Sequence, residues 1–279
     1  MTRQLLYSKA NFNRQDSYRI LTSIFRENYQ DIRVYKKPLS LAAQKHLKQI
    51  LINEKKWQNF IGKQGSVVKG SLVNGQIRYR FLSQPTLDNQ IITALANKQF
   101  LLATDLFFMG LNLIYQLPSI VLRTYPALSL SGYLDLFQTA PLAHHHFVSP
   151  ANLDIAPDNL IVSRRQTYYL DCEWVTDFPV EKNLLIYRYC LYALLRYQSL
   201  FLAYSRLKFC HFCYRGLLIP QDWFIRLFPP RGQLQLHSYF LKEENFQSRL
   251  HLFKSKEKYF SPNRLKLWPL TGRLKPFLS

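Results

Sequence analysis

Asn152-Leu153-Asp154-Ile155-Ala156-Pro157-Asp158-Asn159-Leu160-Ile161-Val162, followed after a polar turn by Thr167-Tyr168-Tyr169-Leu170-Asp171-Cys172-Glu173-Trp174, is the stretch on which the fold of this chain turns. Leu160 to Val162 and Thr167 to Leu170 are short apolar runs on either side of Ser163-Arg164-Arg165-Gln166, the pattern of a small hairpin. A hairpin returns to its start, so Asn159 and Asp171 are expected side by side. With Glu173 they would form an oxygen-rich corner able to hold a divalent cation. Asp154, five residues before Asn159, stands where a carboxylate could orient a reacting hydroxyl. Taken singly, each of these residues reads as a turn cap. Together, in this order, they are far more selective.

Upstream of this stretch the texture is strand-rich. Tyr18 to Arg26 and Ile32 to Lys37 carry β-branched and aromatic residues around a polar turn, and Ser40 is placed to cap a helix running to about Phe60. Ser66 to Val73 and Gln76 to Leu82 flank Asn74-Gly75, the dipeptide best suited to a type I′ hairpin. On the helix, Ala43, Leu47, Ile50, Glu54 and Trp57 recur at steps of three or four, so Glu54 interrupts an apolar stripe. A carboxylate there needs a cation, and Lys36, alternating with inward-facing Val34, is the expected partner. After Ser83-Gln84-Pro85 the periodicity becomes helical, over Leu87 to Asn97, Lys98 to Gln116 and Glu181 to about Lys208. The expected order is a strand-rich lobe over residues 1–84 and a mainly helical lobe over residues 85–279.

Phosphoryl transfer needs these parts: a carboxylate for the attacking hydroxyl, oxygen ligands for Mg²⁺ and a cation on the phosphates. The residues resemble the protein-kinase-like superfamily, in the branch of small-molecule and lipopolysaccharide kinases that includes choline kinases and aminoglycoside phosphotransferases. Choline kinases carry His-x-Asp-x₄-Asn and Asp-Phe-Glu-Tyr. This chain has Asn152-Leu153-Asp154-x₄-Asn159 and Asp171-Cys172-Glu173-Trp174. Asp-x-x-Pro-x-Asn-Leu-Ile followed by Leu-Asp-x-Glu-Trp also looks like kinase-like domains found beside methyltransferases in bacterial surface-polysaccharide assembly. The resemblance implies a bilobal α+β fold and an ATP- and Mg²⁺-dependent phosphotransferase acting on a hydroxyl of a small molecule or glycan. In it Asp154 is catalytic, Lys36, Glu54 and Asn159 serve the nucleotide, and Asn159, Asp171 and Glu173 serve the metal. The chain departs from the family in having Asn152 for the usual histidine and no Gly-x-Gly-x-x-Gly loop between its first strands.

Composition sets the bounds. Hydrophobic residues make up 48% of the 279, enough for a real core, and 37 Lys plus Arg against 17 Asp plus Glu leave a net charge of +20. Such a surface selects anionic partners without naming one. The basic tail from Lys254 to Lys275 either lies against anionic lipid or stays solvated. The absence of a signal-like apolar start and the four scattered cysteines fit a cytoplasmic setting, at most peripheral to the inner face of a membrane. Leu101 to Leu117 and Leu184 to Leu207 are interrupted by polar residues and read as buried helices. Cys210-His211-Phe212-Cys213 lacks a second ligand pair for zinc, and His144-His145-His146 reads as an exposed loop. Two other readings remain open: a catalytically weak nucleotide-binding scaffold, and a basic nucleic-acid-binding protein, disfavoured because the aromatics follow apolar periodicity.

Overall fold

The computed structural model describes residues 3–197 apart from 11, 13, 29–30, 123–144 and 164–165. Within these bounds the chain is a mixed α/β structure of several small sheets and four α-helices. An antiparallel five-stranded sheet, ordered β1-β2-β3-β6-β5, is built from β1 (Arg3–Ala10), β2 (Ile20–Glu27), β3 (Asp31–Pro38), β6 (Gln76–Arg80) and β5 (Ser71–Val73). Helix α1 (Ala43–Ile61) follows β3 and lies on one face of it. The helix cap falls at Ala42, two residues later than the expected Ser40, and has no side-chain cap bond; the Ser40 hydroxyl still accepts the Ala43 N–H at 3.1 Å, in the turn that leads into the helix.

Alternation decides what meets α1. Val34, Lys36, Ile77 and Tyr79 share one face of the sheet by register, and Ile20, Ile77 and Tyr79 form a small apolar cluster with Leu47 and Ile50 of α1. The far end of the same helix, at Trp57 and Ile61, belongs to a much larger cluster with α2 (Leu87–Ala96), α3 (Phe100–Tyr115) and α4 (Lys182–Arg196). Trp57 is fully buried, stacked on Phe60 and edge-on to Tyr169. Helix α1 therefore joins the two cores, and its position fixes one against the other.

Several expectations need correction. A strand precedes Tyr18: β1 was not anticipated because it is an edge strand, mostly exposed, with a register shift between Leu5 and Tyr7 that blurs its alternation. Tyr18 itself closes a short 3₁₀ turn, Asp16–Tyr18, packed on α1. The run Ser66 to Val73 is two strands. β4 (Ser66–Val67) leaves the main sheet and pairs in parallel with Tyr168 and Tyr169, and β5 resumes only after Gly70. A side chain at Gly70 would collide with Ile77 and the Tyr79 ring, 2.2 and 2.7 Å from the position of its Cβ. The Asn74-Gly75 turn forms with φ of 49° and 73°, as type I′ geometry requires. His145 and His146 lie in a strand, β8 (His145–Val148), between β7 (Ile120–Leu122) and β13 (Val180–Glu181), and not in a loop. Cys210, Cys213, His144 and the basic tail lie outside the described residues.

Candidate active site

The hairpin inferred from sequence forms. β10 (Leu160–Val162) pairs antiparallel with β11 (Thr167–Tyr169), and the ladder continues as the Leu170 N–H donates to the Asn159 carbonyl at 2.9 Å. Asn159 and the residue before Asp171 are thus directly bonded. β4 adds to the outer side of β11, which ties the hairpin to the segment leaving α1. A second short pairing, β9 (Ala151–Asn152) with β12 (Val175–Thr176), clamps the chain before Asp154 to the chain after Trp174.

Asn152 sits at the crossing of these two devices. It is 1% exposed. Its side-chain oxygen accepts the Asp154 N–H at 3.0 Å and its amide donates to the Asp171 carbonyl at 3.0 Å, so one side chain orients both acidic segments. Asn159 adds a second brace, its amide donating to the Asp154 carbonyl at 3.0 Å, which leaves Oδ1 with no donor among the described residues.

Lys36 reaches this corner from β3. Its Nζ lies 2.9 Å from Asp171 Oδ1, and the same oxygen accepts the Glu173 N–H at 3.1 Å. Burial works to remove the Lys36 proton, yet the carboxylates of Asp171, Glu173 and Glu54 together hold its pKa above the ordinary lysine value. Asp154 is pushed the other way. Burial, then the negative charges of Asp171 and Glu173, raise its carboxyl from 3.8 to about 7, against the opposing pull of Arg188 and Arg14. A carboxylate poised there can both take and give a proton near neutrality.

Two sequence expectations about partners do not hold. Lys36 does not form its ion pair with Glu54. Glu54 accepts instead from the Tyr79 hydroxyl at 2.6 Å and the Gly70 N–H at 2.9 Å, and burial leaves its pKa raised. The reason is local: the break between β4 and β5 delivers a backbone donor to Glu54, and Asp171 then takes the lysine. Glu173 does not stand with Asp171 as a carboxylate free at both oxygens either. Its Oε1 is held by Arg14 and lies 2.8 Å from His46 Nε2, while the Asn53 amide donates to its carbonyl at 2.9 Å. Burial disfavours its charge, but the His46 hydrogen bond, Arg14 and Lys36 outweigh burial and lower the carboxyl to about 2.

Arg14, His46, Asn53 and Tyr79 were not singled out by the sequence. His46, Ile50, Asn53 and Trp57 step along one face of α1 by four, three and four, the same signal that marked Glu54. Polar residues on an apolar stripe were the available clue. Arg14, in the β1–β2 connection, had none. Its guanidinium lies 5.3 Å from the centre of the Trp174 ring, and that ring stacks on His46.

The donor set fits a magnesium nucleotide in part. Asn159 Oδ1 and the Asp171 carboxylate are oxygen ligands of the hard type, with a buried cation beside them. Among the described residues no three His, Cys, Asp or Glu side chains are grouped to hold a metal unaided. Mg²⁺ is commonly held by one or two protein ligands and substrate phosphates, so the set is sufficient only for an ion that arrives with phosphate.

No family model matches the chain, and no curated protein matches it. Among solved structures a macrolide 2′-phosphotransferase type I aligns over 89% of this chain and 91% of its own, at 10% identity and a TM-score of 0.36. At that TM-score the likeness carries no weight for fold or activity. No described helix is long and apolar enough to cross a membrane.

Proposed function

We propose that the chain is a kinase-like phosphotransferase that uses ATP and Mg²⁺ to phosphorylate a hydroxyl on a small molecule or glycan. The observation that carries this reading is the meeting of Lys36 Nζ and Asp171 Oδ1 at 2.9 Å, across 135 positions of sequence, at the end of a hairpin whose other end is Asn159. Turn-capping residues have no reason to collect a buried lysine from a distant strand.

Bound Mg·ATP would supply the phosphoryl group and neutralise charge on it. Asn159 Oδ1 and the Asp171 carboxylate would face the metal, and Lys36 would offer its ammonium to the phosphates. Asp154 would accept the proton of the acceptor hydroxyl, and its raised pKa sets the pH at which it can do so. Glu173 acts on this site indirectly, by holding Arg14, His46 and the backbone after Asp171 in place. Glu54 acts through Tyr79 and Gly70, as part of the charge environment of Lys36.

The test is thermal stabilisation and ATP turnover with and without Mg²⁺, in the wild type and in Asp171→Ala. Stabilisation at millimolar Mg·ATP should be present in the wild type and lost in the variant. Nucleotide binding without any turnover would favour the scaffold reading. No nucleotide effect in the wild type, or an undiminished one in Asp171→Ala, overturns the proposal.

A further inference from the structure

The face of the five-stranded sheet turned away from α1 is basic in an organised way. Residues at directly opposed register positions share a face. Phe25, Arg33 and Arg80 are so aligned across β2, β3 and β6, as are Ser23, Tyr35 and Arg78, while Lys37 follows by alternation. The two acids on this face, Glu27 and Asp31, sit together beside the β2–β3 turn and are already engaged. Glu27 accepts from Tyr35 at 2.7 Å and meets Arg3 at 3.5 Å, and Asp31 meets Arg33 at 2.8 Å. Lys37, Arg78 and Arg80 are exposed and have no acidic partner among the described residues.

Placing Arg33 directly opposite Arg80 costs stability, because their Cβ atoms start only about 5 Å apart and like charges across strands repel. Residues 1–84 as a whole carry 16 Lys plus Arg and 4 Asp plus Glu, so the first sheet and its helix hold more than half of the net positive charge. An anionic partner on this face would relieve the repulsion. The face also discriminates between partners. Phe25 and Tyr35 are covered by the Arg3 guanidinium, 3.7 and 4.3 Å from their ring centres, so neither ring is open for a base to stack on. Leu5, aligned with Phe25 on the same face, is 54% exposed and offers an apolar contact at its edge.

We propose that this sheet face docks on an anionic lipid surface, with Lys37, Arg78 and Arg80 facing the headgroups and Leu5 entering the interface. The proposal does not depend on the phosphotransferase reading.

Full-length protein is sedimented with vesicles of phosphatidylcholine alone and of equal parts phosphatidylcholine and phosphatidylserine. The wild type should bind the anionic vesicles only. The triple variant K37Q/R78Q/R80Q should bind about 100-fold more weakly, each basic residue near such a surface being worth roughly fivefold. K45Q/K48Q/K55Q removes the same charge from exposed positions on α1 and should lose far less. R78K/R80K should retain binding, and the glutamine variant should melt no lower than the wild type. Equal losses in the two triple variants would reduce the effect to net charge and overturn the proposal. So would absence of vesicle binding, or capture of a duplex oligonucleotide in preference to vesicles.

Discussion

Asp171 and Glu173 stand two residues apart in one tetrapeptide, yet the structure puts them in opposite situations. Asp171 lies at the open end of the hairpin with one cation on one of its oxygens and 26% of its side chain exposed. Glu173 is 7% exposed; an arginine from the β1–β2 connection and a histidine of α1 both hold its Oε1, and an asparagine of the same helix bonds its backbone carbonyl. The first arrangement leaves a carboxylate with capacity to spare for a ligand. The second spends a carboxylate on holding three segments together. Open and closed regions of one site should therefore fail differently when they are broken.

The largest effect is expected on the open side. Asp154→Asn should cut turnover by about 10²- to 10⁴-fold, the range of general-base removal, while leaving the protein folded. Its pH signature has a definite sign. The carboxyl is raised to about 7 in the folded state against 3.8 ordinarily, so the native state binds the extra proton and wild-type stability falls as pH rises from about 4 to about 7. Above that window the asparagine variant should be the more stable by about 2 kcal/mol, allowing for partial exposure of the site. Melting curves at pH 4 and pH 8 check this: a gain at pH 8 that vanishes at pH 4 supports it, and an equal difference at both does not.

On the closed side the loss should be in stability. Glu173→Gln is expected to destabilise the protein by on the order of 3 kcal/mol at pH 7, from a carboxyl lowered from 4.5 to about 2. A depressed carboxyl stabilises above its unfolded pKa and stops doing so as pH falls through the folded one. The gap between wild type and variant should therefore close between pH 4.5 and pH 2. If denaturant titrations show it constant through that window, Glu173 is not the charged centre of the cluster.

The smallest effect tests the border between the two regions. Tyr79→Phe removes one of two donors to buried Glu54 and should cost about 1 kcal/mol, because the Gly70 N–H remains. A loss several times larger would mean that Glu54 depends on the hydroxyl alone.

Local rules made part of this legible. Alternation predicted that Lys36 points inward with Val34, and the helical stripe predicted that Glu54 is buried among Ala43, Leu47, Ile50 and Trp57. Asn74-Gly75 declared its turn, and two apolar runs around a polar one declared the hairpin that sets Asn159 beside Leu170. What failed was pairing. Lys36 had Glu54, Asp171 and Glu173 within its charge environment, and only the tertiary structure decides which one it touches. The broken strand at residues 68–70 was equally hidden, since the partners of its backbone donors are distant: the Val68 N–H bonds to the Tyr169 carbonyl and the Gly70 N–H to a carboxylate sixteen positions earlier.

The sequence by itself determined the elements that carry the chemistry, because helix and strand periodicity are properties of neighbouring residues and act over a few positions. The tertiary structure alone decided which charges are consumed by folding and which are left for a ligand. Coulomb and hydrogen-bond energies depend on distance and burial, and the distances that matter here join residues 14, 46 and 173, or 36 and 171, which no local pattern relates.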